Sequence, residues 1–147
     1  MKLCLVCSSG GHLFEIHSLK DWWGRHERYW VTFKKEDAIS LLKGEKVYYA
    51  YFPTNRSIKN LIRNSLLALK LLRNGDCNII VSTGAGVAVP FFYIGKLLGK
   101  RTIYIESIAR INHLSLTGRI VYPIADVFVV QWPGLRKKYP KSLFISP

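Results

Sequence analysis

A turn of small residues that ends in a histidine follows the first apolar run of the chain and has the composition of a ligand-binding loop. In order, it comprises Ser8, Ser9, Gly10, Gly11 and His12. Glycines let the backbone approach a ligand closely, and the free amides where a helix begins favour an anion or a sugar hydroxyl. The turn therefore predicts a binding site, with a tight strand-to-helix connection as the alternative.

His12 and Glu15 are the side chains of this segment that could act on a bound hydroxyl. The ordinary pKa of histidine, about 6.5, lets His12 serve as a general base near neutral pH. Glu15, one turn further on, could orient His12 or bind the substrate. The alternatives are an exposed or helix-capping His12, and a Glu15 that only complements the helix dipole.

Two common nucleotide sites do not match this turn. Its spacing is not Gly-x-Gly-x-x-Gly, and the second β-rich run leads into Lys34 and Lys35 without the acidic residue that would hold a ribose. The sequence also contains no Gly-Lys-Ser/Thr phosphate loop. These features argue against a nicotinamide-dependent dehydrogenase and against nucleoside triphosphate hydrolysis.

A second small-residue loop follows the fourth β-rich run and contains Thr83, Gly84 and Gly86. Ligands of open α/β sheets bind at the carboxyl ends of the strands, so two such loops predict a cleft. The cleft would suit an extended ligand that carries a phosphate or a sugar. A purely structural turn is the alternative.

Polar side chains also follow the fifth and sixth β-rich runs. Glu106, Ser107 and Arg110 place a carboxylate, a hydroxyl and a guanidinium at the predicted cleft, although Glu106 and Arg110 could instead pair with each other. Gln131 and Trp132 lie at the end of the sixth run. The indole of Trp132 could pack at an interface or in the core.

The segment from residue 55 to residue 74 is basic and contains no acid. On a helical projection its cations fall within an arc of about 100°, and they are Arg56, Lys59, Arg63, Lys70 and Arg73. The opposite side carries Ile58, Leu61, Ala68, Leu69 and Leu72. A basic helix with further leucines beside its cations suits an anionic membrane surface. A crossover helix with a solvated basic face is the alternative, and no nucleic-acid motif accompanies the charge.

The composition agrees with an anionic partner, because 22 Lys and Arg against 9 Asp and Glu leave a formal net charge of +13. The longest mostly apolar stretch, residues 85–98, is too short to span a bilayer, and the first apolar run is too short for a signal peptide. The sequence therefore predicts a cytoplasmic protein. Its three cysteines are expected to pack in the core of a protein from a reducing compartment.

Apolar β-rich runs at residues 2–7, 28–32, 47–51, 78–81, 102–105 and 127–130 alternate with helix-compatible segments. This alternation predicts an α/β fold with a doubly wound, Rossmann-like parallel sheet. The runs are continuously apolar, as expected when helices cover both faces of the sheet. The length predicts one domain over residues 1–147.

Four segments of the sequence together resemble the acceptor-binding half of split GT-B glycosyltransferases. They are Ser9 to His12, Thr83 to Val87, Tyr104 to Arg110 and Val130 to Pro133. The family includes the membrane-recruiting subunit of the eukaryotic enzyme that adds the second N-acetylglucosamine to dolichol diphosphate. It also includes bacterial PssD-like proteins of capsule and exopolysaccharide synthesis. Each segment alone is common, but their order and spacing are specific.

The resemblance implies the amino-terminal half of a GT-B transferase, similar to the one that completes lipid II in peptidoglycan synthesis. A separate partner chain would hold the UDP-sugar, and the acceptor would be a polyprenyl-diphosphate-linked saccharide. The protein would lie peripherally on the inner face of the cell membrane. The eukaryotic members carry an amino-terminal membrane helix that is not found in this sequence, so the basic segment is expected to replace it.

By the same resemblance, His12 is the first candidate for activating the acceptor hydroxyl and Glu106 the second. Acceptor or phosphate binding is expected of Ser9, Gly10, Gly11, Glu15, Thr83, Gly84, Gly86, Ser107 and Arg110. The sequence has no Asp-x-Asp motif, and GT-B enzymes usually stabilise the leaving diphosphate with amides and side chains, so we expect no metal and no cofactor. A non-catalytic scaffold that recruits and enhances the partner is the alternative function.

Overall fold

Continuous runs of β-branched and aromatic residues form a single parallel sheet in the computed structural model, which describes residues 1–75 and 77–146. The strands are β1 (Lys2–Cys7), β2 (Glu27–Phe33), β3 (Val47–Ala50), β4 (Ile79–Gly84), β5 (Arg101–Ile105), β6 (Val127–Val130) and β7 (Leu143–Phe144). Their order across the sheet is β3-β2-β1-β4-β5-β6-β7, and every neighbouring pair is parallel. The α/β, Rossmann-like architecture predicted from the sequence is confirmed.

Helices cover both faces of the sheet, as the continuous apolar runs predicted. They are α1 (Gly11–His17), α2 (Lys20–Trp23), α3 (Glu36–Leu41), α4 (Ile58–Asn74), α5 (Ala88–Leu97), α6 (Leu116–Val121) and α7 (Pro133–Lys138). The helices α1 to α3 pack on one face through residues such as Leu13, Ile16 and Trp23. The helices α4 to α7 pack on the other face through residues such as Leu72 and Phe91.

The strands agree with the sequence prediction to within one residue at each end, except in β4 and β7. β7 was not predicted, because a strand of two residues has no detectable periodicity. β4 continues three residues beyond the predicted end, since Gly84 pairs with Cys7 and accepts a hydrogen bond from the Ser8 amide at 3.1 Å. Thr83 and Gly84 therefore belong to the end of a strand, and the loop begins after them.

The direction of winding reverses between β1 and β4. From β1 the sheet grows outward to β2 and β3, and from β4 it grows the other way to β5, β6 and β7. Connections that leave neighbouring strands toward opposite faces open a crevice at this switch point, where ligands of doubly wound sheets bind. The two small-residue loops predicted from the sequence follow these two strands, so the fold places them side by side.

Candidate functional site

His12 is held against the end of β4 by a reciprocal pair of hydrogen bonds with Thr83. The Nδ1 atom of its ring lies 2.9 Å from the carbonyl oxygen of Thr83, and the Thr83 hydroxyl donates to the carbonyl oxygen of His12 at 2.5 Å. Because a carbonyl oxygen can only accept, Nδ1 carries the proton, and Nε2 is the basic nitrogen of the neutral ring. His12 is thus fixed in the tautomer that a general base requires.

Gly84 completes this arrangement by leaving room for the ring. Its φ of +125° is a backbone conformation that residues with a side chain rarely adopt. A Cβ atom built on Gly84 would lie 2.8 Å from both Nδ1 and Cε1 of His12. The glycine predicted to approach a ligand therefore approaches the catalytic candidate instead.

The Gly10 amide, predicted to bind a ligand, is already paired within the chain. Gly10 precedes α1 with a φ of +83°, and its N–H donates to the Asp37 carboxylate at 2.7 Å. Asp37, in the first turn of α3, fills the place expected for a bound anion, and its negative charge opposes a phosphate there. Ser9 is half-buried and Gly11 exposed in the same turn.

Glu15 faces the loop that follows β5. The hydroxyl of Ser107 donates to its Oε1 at 3.2 Å, which joins α1 to that loop. Burial raises the pKa of Glu15, while the hydrogen bond from Ser107 and the nearby His12 act in the opposite direction. The structure therefore brings His12, Glu15, Thr83 and Ser107 together at the switch point, as expected from the sequence.

Glu106 does not reach the cleft. Only 1% of it is exposed, and its carboxylate accepts hydrogen bonds from the Ser107 amide at 3.0 Å, the Ser115 amide at 2.9 Å and the Ser115 hydroxyl at 3.0 Å. A Cβ on Gly118 would lie 2.2 Å from its Oε2. The geometry therefore disagrees with the prediction that Glu106 is a second base, because burial and local hydrogen bonds keep its oxygens from a ligand.

The other predicted contacts lie around the same edge of the sheet. Arg110 is exposed in a turn, and its backbone amide donates to the Ser107 carbonyl at 3.0 Å. Within the described ranges, its guanidinium forms no ion pair with Glu106. Gly86 packs on Thr54, whose hydroxyl would lie 3.0 Å from an added Cβ. Sequence reasoning missed Thr54, because no motif marks it.

Ser115 and Asp37 bind predicted site residues, Glu106 and Gly10, but the sequence did not single them out. Ser115 caps α6 by accepting from the Gly118 amide at 3.0 Å, and a serine before a helical segment is a recognisable signal. Asp37 follows Glu36 at the start of α3, where acids are common for dipole reasons alone. Its bond to Gly10 depends on how α3 packs and has no sequence signal.

The basic helix begins later than predicted. Ser57 caps α4 by accepting from the Asn60 amide at 3.2 Å, so the helix covers Ile58–Asn74 rather than residues 55–74. Arg56 lies before it in a turn, with a φ of +53°, and does not share the helical face of the other cations. Those cations are all exposed, and they are Lys59, Arg63, Lys70 and Arg73.

The buried side of α4 also differs from the prediction. Asn60 and Asn64 face the sheet, because Asn60 donates to the Pro53 carbonyl at 2.7 Å and Asn64 binds both the amide and the carbonyl of Tyr51 at 2.8 and 2.9 Å. Ile58, which the projection places on the side opposite the cations, is 76% exposed. Together with other exposed side chains of α4 it forms an apolar stripe, which consists of Ile58, Ile62, Leu66 and Leu69.

An apolar groove of about 710 Å³ lies beside the site, on the sheet face that carries α1 to α3. Its floor is formed by strand residues, namely Val81, Ile103, Ile105 and Val129. Phe14, Leu19, Trp22 and Ile145 form its sides, and Glu15 and Thr83 lie where it meets the polar cleft. Within residues 1–75 and 77–146, α5, α6 and α7 pack on the opposite face, so none of them covers this groove.

Among the residues that the structure describes, no three His, Cys, Asp or Glu side chains are grouped so that they could hold a metal ion. In the same part of the chain, no helix has both the length and the apolar character needed to cross a membrane.

A family model described as "Oligosaccharide biosynthesis protein Alg14 like" matches residues 34–147. The human UDP-N-acetylglucosamine transferase subunit ALG14 is 32% identical over an alignment of 177 positions, which covers 99% of this chain and 82% of that protein. The mouse protein of the same name is 42% identical over an alignment of 178 positions, with 99% and 82% coverage.

Two solved structures share the fold at low sequence identity. MurG from Acinetobacter baumannii superposes with a TM-score of 0.78 at 17% identity, and UDP-N-acetylglucosamine 2-epimerase from Rickettsia bellii with 0.73 at 13%. They match 99% and 95% of this chain, which spans only 45% and 41% of their own lengths. Fold and comparisons define the Rossmann-like, amino-terminal half of a GT-B architecture. The chain belongs to the Alg14-like family of oligosaccharide biosynthesis proteins.

Proposed function

We propose that this chain is the acceptor-binding subunit of a two-chain glycosyltransferase. Its partner holds a UDP-sugar, and the pair transfers the sugar to a polyprenyl-diphosphate-linked saccharide at the cytoplasmic face of the membrane. The observation that carries the proposal is the bond from His12 Nδ1 to the Thr83 carbonyl, which leaves Nε2 as the base at the switch point. The name of the relatives supports a UDP-sugar donor.

The proposed reaction is a direct displacement at the anomeric carbon. Nε2 of His12 takes the proton of the acceptor hydroxyl while its oxygen bonds to that carbon, and the bond to the UDP oxygen breaks with the electron pair leaving on UDP. The imidazolium that forms keeps its bond to the Thr83 carbonyl and lies near the Glu15 carboxylate. Both groups stabilise its positive charge.

The remaining cleft residues bind the acceptor in this proposal. Ser107 and Glu15 offer a hydroxyl and a carboxylate for sugar hydroxyls, and Arg110 offers an exposed guanidinium for the diphosphate. We place the phosphates near Arg110 rather than at the Gly10 turn, because Asp37 already binds that amide. No metal or cofactor is part of the proposed reaction.

Attachment to the membrane is assigned to α4. Its apolar stripe faces away from the sheet and has Lys59, Arg63 and Lys70 along one side, with Arg56 and Arg73 near its two ends. Apolar side chains can enter the headgroup region while the cations bind anionic lipids, each worth about 1 kcal/mol. The net charge of +13 adds a general attraction to such a surface.

The partner chain is assigned to the groove beside the site. The groove is lined by apolar strand residues that no helix of the described part of this chain covers, and it adjoins Glu15 and Thr83. The relatives are named as subunits, and MurG contains this fold within a chain more than twice as long. A partner seated there would hold its sugar donor near His12. The setting in capsule or exopolysaccharide synthesis is also part of the proposal, although the relatives compared are eukaryotic.

Substitution of His12 tests the proposed function. In a reconstituted pair of this chain and its donor-binding partner, we expect His12→Ala to reduce transfer to a lipid-linked acceptor by about 10²- to 10⁴-fold. Complex formation and vesicle binding should stay unchanged. The control is His26→Ala, which removes a histidine that precedes β2 at the other end of the sheet. Transfer at the wild-type rate by the His12 variant would contradict the catalytic proposal and favour the non-catalytic scaffold.

A further inference from the structure

The first part of the connection between β5 and α6, residues 107–112 and here called the loop, is held in place by side chains that follow β6. Gln131 donates from Nε2 to the Glu106 carbonyl at 3.0 Å, just before the loop begins. Trp132 donates from its indole nitrogen to the Ile108 carbonyl at 2.6 Å, inside the loop. Both bonds join residues that follow β6 to residues that follow the neighbouring strand β5.

We propose that Gln131 and Trp132 are positioning residues, which hold this loop so that Ser107 meets Glu15 in the acceptor cleft. The inference rests on the proposed function, in which the loop binds the acceptor. Neither residue acts on the substrate in this proposal. Each acts through the carbonyl that it binds.

The rest of the loop is pinned in the same manner. Glu106 binds the Ser107 amide at the start of the loop and the amide and hydroxyl of Ser115, the residue that caps α6. Lys138 donates to the Asn112 carbonyl at 2.7 Å. The loop is therefore attached by polar contacts at its beginning, middle and end, and three of the groups that attach it lie in one stretch of chain, residues 131–138.

Within residues 107–112, apolar packing contributes little to the conformation. The two large apolar residues of this segment, Ile108 and Ile111, are exposed, and the buried Leu114 comes only after it. A loop with few buried apolar contacts opens easily, so its conformation depends on the hydrogen bonds that remain. Because the Trp132 indole is half-buried and its one donor is bound to the loop, the geometry favours positioning over a purely core role.

The test uses Trp132→Phe, which keeps a ring but removes the donor, and Gln131→Met, which keeps the length but removes the amide. In the reconstituted pair we measure hydrogen exchange of residues 107–115 and steady-state kinetics for both substrates. We expect exchange and the KM for the lipid-linked acceptor each to rise by about three- to tenfold. The kcat and the KM for the UDP-sugar should stay within about twofold of wild type in both variants. Partner binding should also stay unchanged in Trp132→Phe, whereas Gln131 itself lines the groove assigned to the partner.

Tyr122→Phe is the matched control, because it removes one tertiary hydrogen bond, from the Lys141 amide, that does not involve the loop. It should leave the exchange and both KM values unchanged. Wild-type exchange and wild-type acceptor KM in both loop variants would overturn the proposal. Faster exchange without a change in acceptor KM would also overturn it, since the loop would then not position the acceptor. Failure of the proposed function is detected separately, by full activity of His12→Ala, and the exchange data remain valid in that case.

Discussion

Gly84 and His12 are in direct contact, because the imidazole ring lies over the α-carbon of Gly84 with no space for a side chain between them. The same strand end binds the ring through the Thr83 carbonyl. The position of the proposed base is therefore set by two adjacent residues of β4. Those residues come from a strand that is distant in sequence and adjacent in the sheet.

Gly84→Ala should displace the ring and reduce transfer by about 10²-fold, the effect expected when a catalytic group is misplaced by about 1 Å. The φ of +125° adds a loss of about 1–3 kcal/mol in the free energy of unfolding. Kinetics of the reconstituted pair and chemical denaturation measure the two effects.

Gly99→Ala is the control that distinguishes the effect of backbone strain at a positive φ from the effect of contact with His12. Gly99 also has a positive φ, +77°, but an added Cβ would meet nothing within 4 Å. It should lose about 1–2 kcal/mol of stability while transfer by the folded protein is unchanged. Equal transfer rates in the two variants would contradict a specific role for the contact between Gly84 and His12.

Glu15→Gln should change the pH dependence of stability. Burial raises the pKa of Glu15 in the folded protein, so its contribution to stability is fully present below the pKa of the unfolded chain and is lost as pH rises through the folded pKa. Gln stays neutral and keeps an oxygen that can accept from Ser107. The variant should therefore have a higher Tm than wild type at about pH 8, but not at about pH 3.5.

Thermal denaturation at the two pH values measures this difference. Glu27→Gln, at the exposed start of β2, is the control and should show no comparable gain in Tm at the higher pH. A Glu15→Gln variant whose Tm difference from wild type is the same at both pH values would contradict the raised pKa.

Ile62→Ser combined with Leu66→Ser should weaken binding to anionic vesicles by about tenfold or more, because each side chain loses apolar area that the membrane would bury. The two residues are 55% and 62% exposed in the folded chain, so the Tm should change little. Vesicle sedimentation at two salt concentrations measures the binding. Ile39→Ser, an exposed apolar residue of α3 on the other face of the sheet, is the control. Unchanged binding in the double variant would rule out α4 as the membrane surface.

Phe14→Asp combined with Ile145→Asp should prevent the partner from binding. Both side chains line the groove and are largely exposed, so a charge there costs the folded chain little while it opposes an apolar partner surface. We expect co-purification of the partner to fall by about tenfold or more, with the Tm of the isolated chain preserved. Ile39→Asp is the control for charge on an exposed apolar site. Retention of the partner by the double variant would show that it binds elsewhere.

The orientation of α4 shows where prediction from the sequence ends. The helix itself follows from its composition, and its cations are exposed as expected. The helical projection placed Ile58, Leu61 and Leu69 on the apolar side opposite the cations, yet all three are exposed. Asn64 instead turns inward, where both backbone groups of Tyr51 would otherwise lose their partner.

The sequence alone determined that the candidate residues lie at the ends of strands, because a strand followed by glycines and a histidine is a local pattern. Continuous apolar runs likewise sufficed for six of the strands and for helices on both faces, because periodicity is carried by neighbouring residues. Only the tertiary structure decided which nitrogen of His12 is basic, why Glu106 is buried and which side of α4 faces outward. Each of these depends on a hydrogen-bond partner from a distant part of the chain, and no local pattern encodes such a partner.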